Sequence, residues 1–331
     1  MTEVATSEVA TSTRTVNTIA DLRAVLDERR RAGASVALVP TMGALHDGHL
    51  ALVRRARELA DVVVVSIFVN PLQFGPAEDL DRYPRTLDAD VAALAGLGAD
   101  VVFAPDVAEM YPSGSAAGTK VSAGPVGSRY EGAHRPGHFD GMLTVVAKLF
   151  SIAQPDVAVF GQKDAQQVFL VTSMVADLDL RLRIEVVPTV READGLALSS
   201  RNRFLDERER VAALVLAESL DAARTSAVDG VSELLAEGVA AFGDHDGVDL
   251  DYFVVVDPDT FLPVDDAFSG RGLVLVAARL GTTRLIDNAF VEIGTDAGAD
   301  TDAGADTDTG ADPGADAAAD AGAELPPSPA E

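Results

Sequence analysis

The run Pro40-Thr41-Met42-Gly43-Ala44-Leu45-His46-Asp47-Gly48-His49 carries the densest chemistry in this chain. It joins an apolar, strand-like segment (35–39) to a stretch of helical spacing (50–60) with Arg54, Arg55 and Arg57 turned outward. The first N–H groups of such a helix face the carboxyl end of the strand, where an open α/β sheet binds ligands. Two imidazoles three residues apart at that mouth can donate hydrogen bonds to phosphate oxygens as charge builds on them. A nucleotide phosphate is the ligand that suits the site. Zinc is the rival, since His at i and i+3 can share one metal, but no third ligand of suitable type lies nearby and the chain has no Cys.

Four more polar clusters follow apolar segments. Segment 62–69 ends in Asn70-Pro71-Leu72-Gln73-Phe74, whose amides suit a hydroxylated acid, although Asn-Pro alone is an ordinary turn. Segment 157–160 ends in Gly161-Gln162-Lys163-Asp164, with Gln166 and Gln167 a turn later. A lysine at a helix start opposes the helix dipole, so either a phosphate compensates Lys163 or it is a solvated surface side chain. Leu198-Ser199-Ser200-Arg201-Asn202-Arg203 offers hydroxyls and a guanidinium to a triphosphate, or a Ser-rich cap flanked by surface arginines. Residues 130–140, rich in Gly, Pro and charge, read as a mobile loop that covers a site.

The elements that must position these clusters alternate through the first two-thirds of the chain. Helices are predicted over 19–31, 49–60, 86–97, 141–153 and 165–177, and strands over 35–40, 62–69, 100–103, 157–160 and 183–187. That order predicts an α/β fold: a Rossmann-like parallel sheet with helices on both faces, spanning 14–191. A smaller α+β domain is expected over 192–294. It has a long helix capped by Asp206 and running to about 225, a second helix over 231–242, and strands over 250–256, 273–278 and 290–293.

Composition bounds the partners. The formal net charge is −27, but eight Asp and two Glu fall in residues 295–331, which hold no Lys or Arg, so the remainder carries −17. This tail has almost nothing large and apolar to bury and is expected to be disordered, as are residues 1–13. An acidic body argues against nucleic acid as a partner. No apolar run approaches the roughly 20 residues that span a bilayer, and the polar first residues lack the regions of a signal peptide. Absence of Cys rules out thiol catalysis and agrees with a cytoplasmic enzyme.

Taken together, PTMGALHDGH, FVNPLQFGPAEDLDRYPRT, RPGHFDGMLTVV, FGQKDAQQ and PTVREADGLALSSRNR, in this order, resemble the pantoate–β-alanine ligases from about Thr15 to Ile293. The resemblance implies a His-x-x-His nucleotidyltransferase-type fold and a cytoplasmic homodimer. It also implies a two-step reaction in which pantoate is adenylated by ATP and the adenylate is captured by β-alanine. By motif, His46, His49, Lys163 and Arg201 are catalytic, with His49 as proton donor. Met42, Gly43, Ala44, Leu45, Asp47, Gly48, Gly161, Gln162, Asp164, Val190, Leu198, Ser199 and Ser200 join them around ATP. Pro40, Thr41, Met42, Asn70, Gln73 and Gln167 hold the acid, and Tyr83, Glu131 and Arg135 support the opening. Mg²⁺ is implied, resting mainly on ATP and water, with Asp88 or Asp90 as carboxylate ligands. Gln162, Leu198 and Ala89 depart from the pattern, where Glu, Met and an acidic residue are frequent, and Ala89 weakens the metal assignment. A plain nucleotidyltransferase and a catalytically silent nucleotide-binding protein are the competing readings.

Overall fold

Alternation along the central strands sets the architecture. In the computed structural model, which describes residues 13–75, 80, 83–114, 118–243, 245 and 247–294, Val36 and Leu38 join one hydrophobic cluster while Ala37 and Val39 join another. Strands covered on both faces have no polar side, which is why they read as unbroken apolar runs. Six strands, β1 (Arg14–Val16), β2 (Val36–Thr41), β3 (Val62–Ile67), β4 (Val101–Phe103), β5 (Val157–Gly161) and β6 (Arg183–Val187), form a parallel sheet in the order β1-β4-β3-β2-β5-β6, with the partly exposed β1 and β6 at its edges. Helices α1 (Ile19–Arg31), α6 (His138–Ala153) and α7 (Ala165–Asp177) bury Leu22, Leu26, Leu149 and Leu170 against one face. On the other face, α2 (Asp47–Leu59) and α3 (Leu87–Ala95) bury Leu52, Val53, Ala56 and Leu94. Two single turns, α4 (Val107–Met110) and α5 (Glu131–His134), lie in the connections.

The strand order reverses at β2, which pairs with β3 on one side and β5 on the other. A doubly wound sheet opens a crevice at such a point, outside the carboxyl ends of the two strands.

Beyond Glu192 come α8 (Glu207–Ala212), α9 (Val215–Ser226) and α10 (Val231–Ala240), then an antiparallel sheet of β7 (Val248–Val256), β8 (Gly270–Leu280) and β9 (Thr283–Ile293). Leu216, Leu220 and Leu234 pack on Val274, Val276 and Val291 in a core of their own. The opposite face of β8 places Leu273 and Leu275 with Ala165 at the start of α7, which ties the two sheets together.

Several details differ from expectation. Strand β1 carries too few residues to show a period, and its register comes from pairing with Val101–Phe103. Thr13, expected in a disordered segment, donates its hydroxyl to the Ala99 carbonyl at 2.8 Å; the rest of that segment and the acidic tail lie outside the described residues. Asp206 does cap its helix, accepting from Arg208 and Glu209 N–H at 2.8 Å. The helix is then interrupted at Ala213 and Leu214, where Leu214 bonds to Val211 and Leu216 to Ala213, three residues back. Strand β9 runs longer than its apolar pattern because Arg284, Asp287 and Asn288 occupy ladder positions in it, and β8 extends through Arg271 and Arg279 to match. No described helix is long and apolar enough to cross a membrane.

Candidate active site

The turn after β2 is built around a buried carboxylate. Gly43 (φ 83°) and Ala44 (φ 51°) reverse the chain in left-handed conformations. The successive N–H groups of Ala44 and Leu45 then donate to the Asp90 carboxylate at 3.0 and 2.9 Å. Thr86 Oγ1 donates to the same group at 3.1 Å, and Asp90 is only 4% exposed. Consecutive backbone donors around an anion form a nest, and here the anion belongs to the protein. This corrects the metal assignment: the Asp90 oxygens are engaged by three donors, Asp88 is exposed, and neither lines the cleft. Among the described residues no group of three or more His, Asp or Glu could hold a cation. Gly43, Ala44, Leu45 and Asp47 also lie outside the lining, and the Ala44 and Leu45 N–H groups serve the turn rather than a nucleotide.

His46 caps α2. Its Nδ1 accepts from the Gly48 N–H at 3.2 Å, and the His46 N–H donates to His49 Nδ1 at 3.4 Å. A Cβ at position 48 would meet the His46 ring at 2.9 Å, so a glycine must separate the histidines. With Nδ1 accepting in both rings, the hydrogen-bond pattern assigns the proton of each neutral imidazole to Nε2. Burial lowers the His46 pKa, helped by the Lys163 charge. Burial, then repulsion from His46, pushes His49 down to about 3. The rings lie 4.1 Å apart and present two neutral N–H donors.

Across the crevice, β5 ends at Gly161 and a 3₁₀ turn, Gln162–Asp164, carries Lys163 to the wall. Ser199 caps a second such turn, accepting from the Arg201 N–H at 3.3 Å. Together His46, His49, Lys163 and Arg201 face a cavity of about 880 Å³. Pro40, Thr41, Met42, Gly48, Gly161, Asp164, Val190, Leu198, Ser199 and Ser200 line it as well, with Tyr83, Glu131 and Arg135.

The amide side is prepared from within. Gln73 and Gln167 line the cavity. Gln73 Nε2 lies 3.0 Å from Met42 Sδ, and its Oε1 accepts from Asn70 Nδ2 at 3.1 Å. Asn70 itself, 1% exposed, does not reach the cavity. Its amide also donates to the Gly141 carbonyl at 3.0 Å, while its Oδ1 accepts from Tyr111 and the Leu72 N–H. Asn70 therefore holds Gln73 from behind the cavity wall. Gln162 is likewise displaced from the lining and pairs with Asn288. Gln166 is buried and holds the 126–131 loop through Val126, Arg129 and Glu131. Sequence reasoning missed Arg284, Asp287 and Asn288 of β9; polar residues interrupting the apolar run of that strand were the available signal.

Fold and cleft define an α/β enzyme of the doubly wound kind, with a polar crevice at the strand reversal. The family model for pantoate-beta-alanine ligase matches residues 14–290, and the chain belongs to that family of ligases. A pantothenate synthetase from Leifsonia xyli subsp. xyli is 60% identical over 280 residues, covering 82% of this chain and 97% of the relative. The crystal structure of pantothenate synthetase from Thermus thermophilus is 49% identical, with a TM-score of 0.78 over 83% of this chain and 98% of the other. A pantoate-beta-alanine ligase from Francisella tularensis, complexed with beta-gamma ATP and beta-alanine, is 34% identical, with a TM-score of 0.69 over 84% of this chain and 97% of the other.

Proposed function

We propose that this chain joins pantoate to β-alanine in two steps on ATP. A carboxylate oxygen of (R)-pantoate attacks the α-phosphorus, the bond to the β-phosphate oxygen breaks, and pyrophosphate leaves. The β-alanine amine then attacks the acyl carbon of pantoyl adenylate; AMP departs with the former carboxylate oxygen, the amine loses a proton, and pantothenate remains.

The observation that carries this reading is one cavity lined both by cationic and N–H donors suited to a polyphosphate and by two glutamines suited to a hydroxy acid. Lys163 and Arg201 supply positive charge where pyrophosphate departs, and fixed donors of this kind cost no reorganisation when the charge develops. His46 and His49 donate from Nε2 while neutral, so they bind phosphate oxygens without first taking a proton; an arriving polyanion favours the charged imidazolium and moves both rings toward protonation. Gln73, with its carbonyl turned to Asn70, keeps its amide donor directed at the acid side. Holding acid and phosphorus in line accounts for most of what such a site has to supply. Mg²⁺ in this reading enters with the nucleotide and its water, where it offsets phosphate charge. Homodimerisation and a cytoplasmic location belong to the same reading through the family resemblance, and sedimentation velocity tests the first.

Purified chain given ATP, Mg²⁺ and pantoate labelled with ¹⁸O in its carboxylate releases pyrophosphate, and on addition of β-alanine one ¹⁸O appears in AMP. Pyrophosphate release that is indifferent to pantoate, or AMP without label, refutes the adenylate route.

A further inference from the structure

Strand β9 carries three side chains that each grip a different segment around the cleft. Asn288, 4% exposed, donates Nδ2 to the carbonyls of Gln162 (3.0 Å) and Lys163 (2.9 Å), and its Oδ1 accepts from Gln162 Nε2 at 3.1 Å. Asp287, also 4% exposed, receives the Arg191 guanidinium in a bidentate pair at 2.5 and 3.0 Å. Arg284 pairs with Glu131 at 2.7 Å and with Asp251 at 2.6 Å, and Tyr252 donates to the same Glu131 at 2.9 Å.

These grips fall where the local backbone supplies least. The 3₁₀ turn bearing Lys163 has no side-chain cap at its start, and Asp164 gives none to α7. With neither start held by a side-chain cap, Asn288 adds side-chain bonds to the carbonyls of the turn from outside it. Arg191 begins a small hairpin in which it bridges to Ala197 and the Leu198 N–H bonds to the Val190 carbonyl at 2.9 Å. Holding Arg191 thus holds Val190 on one arm and the chain leading to Ser199 on the other. On the acid side, by contrast, Gln73 accepts from Asn70, which in turn donates to the Gly141 carbonyl, with no residue of β9 among those bonds.

We propose that Asn288 is a positioning residue for Lys163, and Asp287 for the segment from Val190 to Arg201, so that β9 sets the nucleotide side of the cleft while Gln73 on the acid side is set independently. The inference rests on the two-step reading above, and it predicts a split between substrates that a general loss of structure would not give.

Asn288→Asp replaces the donor with an oxygen facing two carbonyls. With the full chain, kcat/KM for ATP falls about 10- to 100-fold, the scale expected when a reacting geometry shifts by about 1 Å, while KM for pantoate stays within about twofold. Asp287→Asn gives a smaller loss of the same kind, and Asn288→Ala serves if the aspartate variant does not fold. Calorimetric titration with ATP is read in parallel and shows weakened binding. An unchanged ATP term in a folded variant, or equal losses for ATP and pantoate, overturns the proposal. If the parent chain makes no pantothenate, the functional reading fails, and the titration still decides whether Asn288 shapes the nucleotide side.

Discussion

Removing the carboxylate of Asp90 tests whether the protein itself fills the nest after β2. In Asp90→Ala the N–H groups of Ala44 and Leu45 lose their acceptor where Ala44 is 3% exposed. An orphaned buried donor costs about 1–3 kcal/mol, so the pair costs roughly 2–6 kcal/mol. Relaxation of Ala44 out of its left-handed conformation returns about 1 kcal/mol. A net loss of roughly 1–5 kcal/mol is a sizeable share of the 5–15 kcal/mol typical of a folded domain. Asp90→Asn keeps one acceptor oxygen and should lose about half as much. Urea unfolding followed by circular dichroism at 222 nm measures both, since the chain has no Trp to report by fluorescence. Pyrophosphate release should fall in both variants while the Mg²⁺ concentration for half-activation stays where it was. An unchanged urea midpoint together with a raised Mg²⁺ requirement would refute the reasoning and return the carboxylate to a metal.

A methyl group on Gly141 would collide with the Leu72 carbonyl and the Gln73 N–H, so Gly141→Ala should raise KM for pantoate at least tenfold, the scale of a displaced contact, with KM for ATP little changed in steady-state assays. His49 shows the opposite pattern to a stabilised cation: its pKa falls from 6.5 unfolded to about 3 folded, so the unfolded chain binds the proton between those values and stability declines as pH drops below 6.5. Because the ring is partly open to the cleft, the loss by pH 5 is on the order of 1–2 kcal/mol, and urea midpoints for His49→Phe should show a correspondingly flatter acid limb. Lys163→Ala should lower turnover about 10²–10³-fold by removing charge stabilisation, with an unchanged circular dichroism spectrum; near-normal turnover would remove it from the chemistry.

Local patterns carried much of this molecule. Helices α1 and α7 and strand β6 sit at the bounds read from their periodicity, and the turn at 40–49 is legible because glycine and histidine do there what no surface loop requires. What escaped was whatever depends on distant partners. Asp90, in the first turn of a helix, reads as a carboxylate for Mg²⁺ until burial places two backbone donors against it. Asn70 looks like a substrate amide until Tyr111 and Gly141 are seen to occupy it. The polar residues of β9 break an apolar pattern without naming their partners, and Arg191, Glu131 and Gln162 among them lie more than 90 positions away in sequence.

The reversal of strand order at β2 also bears on how the chain comes to be folded. The two walls of the crevice grow from strands that are neighbours in space, yet the Val36 N–H must find the Asp156 carboxylate across 120 residues. Contacts of such separation close late, since the loop entropy is lost before the contact rewards it. A nascent chain grown through α3 holds β2, β3 and the histidine turn together with the Asp90 carboxylate that the turn is built around. It cannot set Lys163 opposite that turn until β5 has paired, nor clamp it until Asn288 has been synthesised. Competence to use ATP should therefore be among the last properties to arrive during refolding, lagging the recovery of helix signal.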